Sequence, residues 1–281
     1  MKYTIVIPAK NEAQGLKEIL PKLQNLGAQE IIVVDDGSTD DTKVLSESFG
    51  CRVISHPYSM GNGASIKSGA REVKTESILF MDADGQHDPS NIPDLLAKYD
   101  EGFDMVVGAR TGQDSQANIA RGFGNKLYNW FASWMVGHKI DDLTSGFRVV
   151  NREKFMRFLY MLPNGFSYPT TSTMAFFRVG YKVGYLPVTM PPRVGQSHLR
   201  LFRDGIKFLL IIFKIGTLYS PLKIFLPIAL LQFVLGMGRY AYTLISSGTF
   251  TNMSALLLSS AVTVFLIGLV SEQISNLNYK S

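Results

Sequence analysis

The sequence has a single cysteine, few charged residues and no run of lysine and arginine interleaved with aromatic residues. Cys51 alone cannot form an internal disulfide, and it excludes a metal site built from several cysteines. Charged residues make up 18% of the 281 residues, against about a quarter in an ordinary soluble domain. The formal net charge is +5. Because the basic residues are dispersed, anionic lipid or phosphorylated substrates are better candidate partners than a nucleic acid.

The low charge reflects two long apolar runs near the C-terminus. The N-terminal stretch "MKYTIVIPAKNEA" has too short an apolar run for a secretory signal and is predicted to be a first strand. Residues 222–245 and 253–271 would form helices of about 36 and 28 Å, close to the thickness of about 30 Å of a bilayer core. The alternative is a buried helical hairpin of a soluble protein.

Charge around these runs predicts a topology. Basic residues precede the first run and Lys280 follows the second, whereas the link "SSGTFTN" carries no charge. Because positive residues favour the cytoplasmic side, both termini are predicted to be cytoplasmic, in the cell membrane or in the endoplasmic reticulum of a eukaryote. Residues 199–218 mix basic and apolar residues and are predicted to be an interfacial helix, with a short third span as the alternative. The predicted layout is a soluble domain over 1–198 and an anchor over 219–281.

The first two thirds of the chain alternate between strand and helix patterns. The predicted strands are 3–8, 30–36, 52–56, 77–82 and 104–110, and the predicted helices are 12–26, 40–49, 63–73 and 90–100. Because the strands are apolar throughout, helices must cover both faces of the sheet, which indicates an α/β fold with a parallel sheet.

Polar clusters follow three of these strands. "PAKNE" follows the first, "DDGSTDD" the second and "DADGQHD" the fourth. Carboxyl ends of parallel strands share one edge of the sheet, so the three clusters are predicted to converge there. Asp82 and Asp84, with Gln86 beyond them, offer the hard oxygen ligands that suit Mg²⁺ or Mn²⁺ bound to a nucleotide diphosphate. Carboxylates at the end of the second strand could hold a ribose or a base edge, while Ser38 or Thr39 caps the next helix.

Six stretches of the sequence resemble, in their order along the chain, the motifs of GT-A glycosyltransferases of family 2. They are "VIPAKNEA", "VVDDGSTDDT", "GNGASIKSGA", "MDADGQHDP", "VVGAR" and "LTSGFRVVNREKF". The sequence is most similar to dolichyl-phosphate mannose synthases and bacterial polyprenyl-phosphate glycosyltransferases. The resemblance implies a GT-A fold with a mostly parallel sheet and a cytosolic catalytic domain over 1–198. It also implies an enzyme that transfers a sugar from GDP-mannose or a UDP-hexose to dolichyl or undecaprenyl phosphate.

The resemblance also implies roles for individual residues. Lys10 stands where the family often has an aromatic residue. The implied roles are: Pro8, Lys10 and Glu12 bordering the nucleotide; Val34 and Asp36 touching the base and ribose; Asp82, Ala83 and Asp84 holding the diphosphate and the metal; Gln86 completing the metal shell; and Arg110 facing the sugar nucleotide.

A further stretch, "RVGQSHL", resembles a loop of the family in which an arginine and a later lysine bind phosphate. Arg193 keeps the arginine, but His198 occupies the lysine position, so a fixed charge is replaced by one that titrates near neutrality. Arg200 is a candidate to compensate.

The chemistry of a lipid phosphate acceptor predicts the remaining roles. With a second pKa of about 6, the phosphate is mostly dianionic at neutral pH and needs little help from a general base. Asp84 is therefore a catalytic residue through the metal, and one in-line displacement with inversion is expected. Asp142 is predicted to lie on the acceptor side, or to be a plain turn residue. Arg148 is predicted to bind the acceptor phosphate, or to pair with an acid in the core.

Two other functions compete with this interpretation. A processive polysaccharide synthase would share the early motifs, but its Q-x-x-R-W motif does not occur in the sequence. A membrane-tethered sugar-nucleotide binding protein without catalysis would not need the Asp82, Asp84 and Gln86 set. Small residues in "GMG" and "LLSSA" would allow the two spans to pack against copies of themselves.

Overall fold

The protein is described by a computed structural model covering residues 2–110, 119–165, 168–189, 213–214 and 216–278. The chain divides into two compact units. Unit 1 comprises Met1–Ser133 and His138–His198, and unit 2 comprises Trp134–Gly137 and Leu199–Ser281.

Unit 1 is built on a seven-stranded sheet. Its strands are β1 (Tyr3–Ala9), β2 (Glu30–Asp35), β3 (Arg52–Ser55), β4 (Ser77–Phe80), β5 (Met105–Arg110), β6 (Arg148–Asn151) and β7 (Val183–Val188). The order across the sheet is β3-β2-β1-β4-β6-β5-β7. β6 runs antiparallel to both of its neighbours and the other pairs are parallel, so the predicted, mostly parallel sheet is confirmed.

The helices of unit 1 follow the strands. They are α1 (Ala13–Leu23), α2 (Thr42–Ser48), α3 (Asn62–Glu72), α4 (Ile92–Asp100), α5 (Ile119–Val136), α6 (Arg152–Met156) and α7 (Tyr168–Val179), of which α5 ends in unit 2. The first five predicted strands and first four predicted helices are confirmed to within a few residues at each end.

Alternation along β1 places helices on both faces of the sheet. Ile5 and Ile7 are fully buried in the cluster that contains the apolar side of α1, whereas Val6 points to the other face. There it meets α3 so closely that a Cβ on Gly69 would lie 2.4 Å from the Val6 side chain. The glycine lets α3 approach the sheet, which brings the loop before α3 to the carboxyl edge.

Unit 2 contains a hairpin of two long apolar helices, α8 (Pro221–Ser247) and α9 (Asn252–Asn278). Both are long and apolar enough to cross a membrane, and they occupy the two apolar runs predicted from the sequence. Ser260 donates a hydrogen bond to the Gln232 amide oxygen between the helices at 3.2 Å. The predicted interfacial helix over 199–218 lies outside the described residues for most of its length.

Candidate active site

The loops after β1 and β2 are joined through Asn11. The Asn11 backbone N–H donates to the Ser38 hydroxyl at 2.9 Å, and the Asn11 side-chain oxygen accepts from the Thr39 backbone N–H at 2.8 Å. Asn11 has a positive φ of 55°, a conformation that asparagine tolerates better than most residues. The Glu12 N–H donates to the Thr42 hydroxyl at 2.9 Å. Two of the three predicted polar clusters therefore meet.

The loop after β4 joins them through α1. A Cβ on Gly15 would lie 2.1 Å from the Ala83 carbonyl oxygen, so only glycine permits this approach. The structure therefore confirms the convergence of all three clusters at one edge. Of the residues predicted to border the nucleotide, Pro8 and Glu12 are half-buried at this edge and Lys10 is exposed.

Asp36 is engaged by the protein itself. The side chain is 6% exposed and accepts hydrogen bonds from the His56 ring (2.7 Å), the Ser59 hydroxyl (2.7 Å) and the backbone N–H groups of Met60 (2.7 Å) and Gly61 (2.9 Å). Burial alone would raise the pKa of Asp36, but these hydrogen bonds lower it to about 2. Asp36 thus stays ionised and holds the loop over residues 56–61.

Val34 shows the same inward orientation. It is 0% exposed, and its side chain lies 3.1 Å from where a Cβ on Gly69 would be. The Val34 side chain is therefore part of the core, and only its backbone is available for the predicted contact with a base. His56, which braces Asp36, was not predicted; its signal is a histidine directly after a strand that neighbours the aspartate pair.

The glycine-rich stretch before α3 is closed by a neighbouring loop. The N–H groups of Gly63 and Ala64, in the first turn of α3, donate to the carbonyl oxygens of Gly165 (3.2 Å) and Asn164 (2.9 Å). Gly61 has a φ of +102°, where L side chains are strained. This end of α3 is a packed turn, and the N–H groups of Gly63 and Ala64 are already used by the neighbouring loop.

Asp82 and Asp84 follow β4 and remain half-buried at the edge. The Asp82 side chain is 34% exposed, and its backbone N–H donates to His87 Nδ1 at 2.9 Å. The proton of the neutral His87 ring then sits on Nε2, 3.8 Å from Asp82 Oδ2. Burial lowers the pKa of His87, which keeps the ring neutral, and it stacks on Phe147 at 5.2 Å. His87 therefore supports the turn that carries Asp82 and Asp84 from its buried side.

The turn that carries Gln86 is held by Asp84. The Gln86 N–H donates to Asp84 Oδ1 at 3.2 Å, which places the amide side chain on the same short loop as both carboxylates. Ala83 is buried between them. The three predicted metal ligands therefore share one turn.

A small cavity of about 100 Å³ opens beside Asp82. A Cβ on Gly146 would lie 2.8 Å from the Asp82 carboxylate, so the glycine leaves room for this side chain. The lining residues are Asn62, Asp82, Thr144, Gly146, Gly165, Tyr168 and Pro169. Asn62 and Thr144 were not predicted; Asn62 begins α3 and Thr144 lies in the loop before β6, and only the fold brings them together.

Arg110 and Asp142, predicted separately, form one ion pair. Arg110 Nε and one terminal nitrogen donate to the two Asp142 oxygens at 2.7 and 2.9 Å, a bidentate geometry. Burial alone would raise the pKa of Asp142, but Arg110 lowers it. Asp142 is therefore ionised, while Arg110 stays 43% exposed and also donates to the Thr144 hydroxyl.

Arg148 is a correction to the sequence prediction. It is 0% exposed, and its guanidinium donates to the carbonyl oxygens of Ser145 and Pro169 and to the hydroxyls of Ser172 and Thr173. A side chain directed inward in this way does not reach an acceptor phosphate. It ties the turn after Asp142 to the start of α7. Arg193 and His198 lie outside the described residues.

The chemistry of the aspartate turn fits a hard divalent cation. Among the described residues, no group of three or more histidine, cysteine, aspartate or glutamate side chains is arranged to hold a metal. Two carboxylates and an amide are nevertheless a suitable set for Mg²⁺ or Mn²⁺, because these ions take the rest of their ligands from water and substrate phosphates. The site therefore suits a metal ion that the protein and the substrate phosphates bind together, rather than one enclosed by protein ligands alone.

Comparison with known proteins agrees with this architecture. Glucosyl-3-phosphoglycerate synthase from Mycobacterium tuberculosis, solved with Mn²⁺, UDP and glucosyl-3-phosphoglycerate, superposes with a TM-score of 0.60 at 22% sequence identity. The match covers 75% of this chain and 79% of that one. At this identity the likeness shows the GT-A-like fold alone.

The relatives by sequence include glycosyltransferases. Glycosyltransferase AglJ from Haloferax volcanii is 26% identical over 243 residues, 85% of this chain and 80% of that protein. Undecaprenyl-phosphate 4-deoxy-4-formamido-L-arabinose transferase from Salmonella paratyphi B is 33% identical over 162 residues. That match covers 54% of this chain and about half, 49%, of the relative's length.

Two family profiles match successive parts of the chain. Residues 220–277 match the GtrB C-terminal hairpin, which corresponds to α8 and α9. Residues 4–159, more than half of the chain, match glycosyl transferase family 2. With the fold and the aspartate turn described above, the chain belongs to glycosyl transferase family 2 and is a glycosyltransferase.

Proposed function

We propose that this enzyme transfers a sugar from a nucleotide-sugar to a polyprenyl phosphate, with a divalent metal and with inversion, at the cytosolic face of a membrane. The observation that carries the proposal is the joint presence of a half-exposed aspartate turn at the sheet edge and a C-terminal apolar hairpin. The first suits a nucleotide diphosphate and the second suits an enzyme whose acceptor lies in a bilayer. The relatives named above include a transferase acting on undecaprenyl phosphate.

The donor would lie across the converging loops. Asp82, Asp84 and Gln86 would hold Mg²⁺ or Mn²⁺, which when bound would neutralise the diphosphate and so make it a better leaving group. Solved neighbours that share the fold hold UDP with either ion. The backbone near Val34 and the loop that Asp36 braces would border the base and ribose.

Pro8, Lys10 and Glu12 would border the nucleotide from the other side of the edge. Lys10 and Glu12 flank Asn11, which joins this loop to the segment after β2, and Pro8 lies near the end of β1. Glu12 and Pro8 are half-buried and Lys10 is exposed, so Lys10 is the member of the set with most freedom to reach a phosphate.

Arg110 would face the sugar nucleotide, as its exposure and position at the end of β5 allow. Asp142 would act through it: a buried, ionised carboxylate that fixes both guanidinium nitrogens orients the exposed remainder of the group toward the cavity. A general base is not required of Asp142, because the phosphate acceptor is already mostly dianionic.

The acceptor phosphate would attack the anomeric carbon in line with the departing diphosphate, which inverts the configuration. The enzyme's main task is then to bring two anions together. Arg193 and His198 remain the proposed contacts for the acceptor phosphate.

The direct test is a transfer assay. Purified full-length protein would be incubated with Mn²⁺, radiolabelled UDP- or GDP-sugars, and undecaprenyl or dolichyl phosphate. We expect label in an organic-extractable lipid monosaccharide with one preferred nucleotide and carrier. Formation of a long polymer would favour a processive synthase, and absence of transfer to any polyprenyl phosphate in the panel would contradict the acceptor class.

The proposed topology has its own test. With both termini cytoplasmic, the link between α8 and α9 lies outside, so protease added to intact cells or spheroplasts should cut only there. Cleavage within unit 1 would contradict the cytosolic placement of the active site.

A further inference from the structure

The Lys67 side chain extends from α3 to a loop that is 95 to 97 positions away in the chain. Its ammonium group donates to the Leu162 carbonyl oxygen at 3.1 Å and to the Asn164 side-chain oxygen. Burial and the nearby charge of Arg71 lower the pKa of Lys67, so a charged ammonium group at this position has a cost, which the two acceptors offset. Lys67 therefore makes a specific contact with this loop.

The same loop contacts the first turn of α3 through its backbone. The N–H groups of Gly63 and Ala64 donate to two of its carbonyl oxygens. A Cβ on Gly63 would lie 2.0 Å from the Pro163 carbonyl oxygen, so only glycine permits this approach. Lys67 follows these two donors by four and three residues and lies on the same face of α3. Three donors of α3 thus hold residues 162–165, which we call the clamped loop.

The clamped loop forms part of the cavity beside Asp82. Gly165, the last residue of the loop, lines this cavity together with Asn62 at the start of α3. Tyr168 and Pro169 follow in the first turn of α7 and line it as well. The placement of these four lining residues therefore depends on how the clamped loop packs against α3.

The neighbour of the cavity indicates which part of the substrate enters it. Under the proposed function, Asp82 holds the donor diphosphate through a metal, so the next group of the donor is the sugar. The lining offers the Asn62 amide and the hydroxyls of Thr144 and Tyr168, which are groups that form hydrogen bonds with sugar hydroxyls. A displacement of a reacting group by about 1 Å can lower a rate about a hundredfold. The shape of this cavity therefore matters for the reaction.

From these observations we propose that Lys67 is a positioning residue of the transfer reaction. By fixing the clamped loop on α3, it sets the shape of the cavity that receives the donor sugar. The proposal rests on the proposed function, because it takes the donor to be a nucleotide-sugar. Lys67 acts through the loop and does not touch the substrate, so its loss affects the placement of the sugar more than the binding of the nucleotide.

The test compares sugar transfer with nucleotide binding in the full-length protein. We would measure kcat with Mn²⁺ and UDP-glucose or GDP-mannose, and the Kd of each nucleotide-sugar and of UDP and GDP by calorimetry. In Lys67→Met we expect kcat to fall about tenfold to a hundredfold, while the Kd of UDP or GDP stays within about twofold of the wild type. Lys67→Arg should recover most of kcat, because a guanidinium group can donate to both acceptors.

Two further variants sharpen the comparison. Lys74→Met changes an exposed lysine just after α3; it is the matched control and should behave as the wild type. Asn164→Ala removes one acceptor at an exposed position and should lower kcat by a smaller factor than Lys67→Met. The double variant Lys67→Met/Asn164→Ala should lose no more than Lys67→Met alone, because both side chains act through one contact.

Unchanged kcat in a folded Lys67→Met would overturn the proposal. If Lys67→Met does not fold, unchanged kcat in Asn164→Ala would overturn it. An equal loss of UDP or GDP affinity would also overturn it, because the loop would then support the whole nucleotide site. If the wild type binds neither nucleotide-sugar, the proposed donor class and the role of Lys67 fail together.

A failure of the proposed acceptor class is distinguishable from a failure of this proposal. If the wild type binds a nucleotide-sugar but transfers its sugar to no polyprenyl phosphate, only the acceptor class fails. The role of Lys67 is then decided by the ratio of the Kd values for the nucleotide-sugar and the nucleoside diphosphate. A larger ratio in Lys67→Met than in the wild type supports it, and an equal ratio overturns it.

Discussion

The two aspartate loops at the carboxyl edge of the sheet look alike in sequence and differ in structure. After β2, the Asp36 side chain is 6% exposed and accepts four hydrogen bonds from the loop that it holds. After β4, the Asp82 side chain is 34% exposed and lies at a cavity. A carboxylate whose acceptor positions are filled by the protein stabilises a loop, whereas one at a cavity is placed to meet a ligand.

The same contrast holds for two arginines that were both predicted to meet substrate. Arg110 keeps 43% of its side chain exposed while Asp142 fixes its orientation. Arg148 is fully buried and its donors go to carbonyl and hydroxyl oxygens of neighbouring segments. One can serve a ligand, and the other positions the residues that do.

The largest effect on the transfer rate is expected from removing a carboxylate of the loop after β4. Asp84→Ala should lower turnover about a hundredfold to a thousandfold. The metal would lose one of its ligands, and the charge that develops on the departing diphosphate would lose the stabilisation that the metal supplies. The measurement is transfer rate at saturating Mn²⁺, with circular dichroism to show an intact fold. Asp88→Ala, an exposed carboxylate of the same loop, is the matched control and should keep most of the activity. Equal activity of the Asp84→Ala and Asp88→Ala variants would contradict the proposed metal site.

Arg148→Met tests the buried arginine. We expect a loss of about 3 kcal/mol in the free energy of unfolding, because several buried oxygens lose their donors. Arg148→Lys should restore only part of it, since an ammonium cannot reproduce the planar fork. Arg157→Met, which removes an exposed ion pair with Glu153, is the control and should leave the stability close to that of the wild type. A stable Arg148→Met variant with a raised KM for acceptor would revive the phosphate-binding role.

Asp36→Asn tests whether the buried Asp36 carboxylate holds the loop over residues 56–61. The amide cannot accept from all of the donors now directed at Asp36, so we expect a loss of about 2 kcal/mol in stability at neutral pH. The pKa of Asp36 is lowered from 3.8 to about 2, so its contribution is full above the ordinary pKa and is lost as the pH falls through that window. The stability gap from the wild type should therefore close toward pH 2.

Asp41→Asn is the control for this measurement, because Asp41 is exposed and its side chain makes no capping hydrogen bond to α2. A small and pH-independent difference at Asp36 would mean that the carboxylate does not hold the loop. That result would return Asp36 to the set of direct nucleotide contacts.

The smallest effect is expected at the exposed arginine. Arg110→Lys keeps the charge but loses the bidentate contact with Asp142, so kcat/KM for the donor should fall about tenfold. Asp142→Asn should give a similar loss if Asp142 acts only by orienting Arg110. A much larger loss in Asp142→Asn, with a new pH dependence of kcat, would assign Asp142 an acid–base role of its own.

Local sequence patterns were sufficient for five of the seven described strands. The apolar runs of β1, β2, β4 and β5 indicate strands because burial on both faces leaves an uninterrupted apolar signal, whereas β3 is a partly exposed edge strand whose signal is only Val53 and Ile54. β6 was not predicted, because four residues inserted antiparallel between β4 and β5 carry no local signature. β7 was missed for a related reason: its exposed and buried positions do not alternate cleanly.

Residues close together in the chain are enough to predict the polar clusters that follow β1, β2 and β4, the two apolar helices and the carboxylate pair after β4. The pairing of Arg110 with Asp142 across 32 positions, the enclosure of Asp36 by residues 56–61 and the inward direction of Arg148 depend on contacts between distant segments and could not be predicted in this way. The physical reason is that a charged side chain's partner is set by which distant segments the fold packs beside it, and the desolvation cost of burial selects partners that no local pattern encodes.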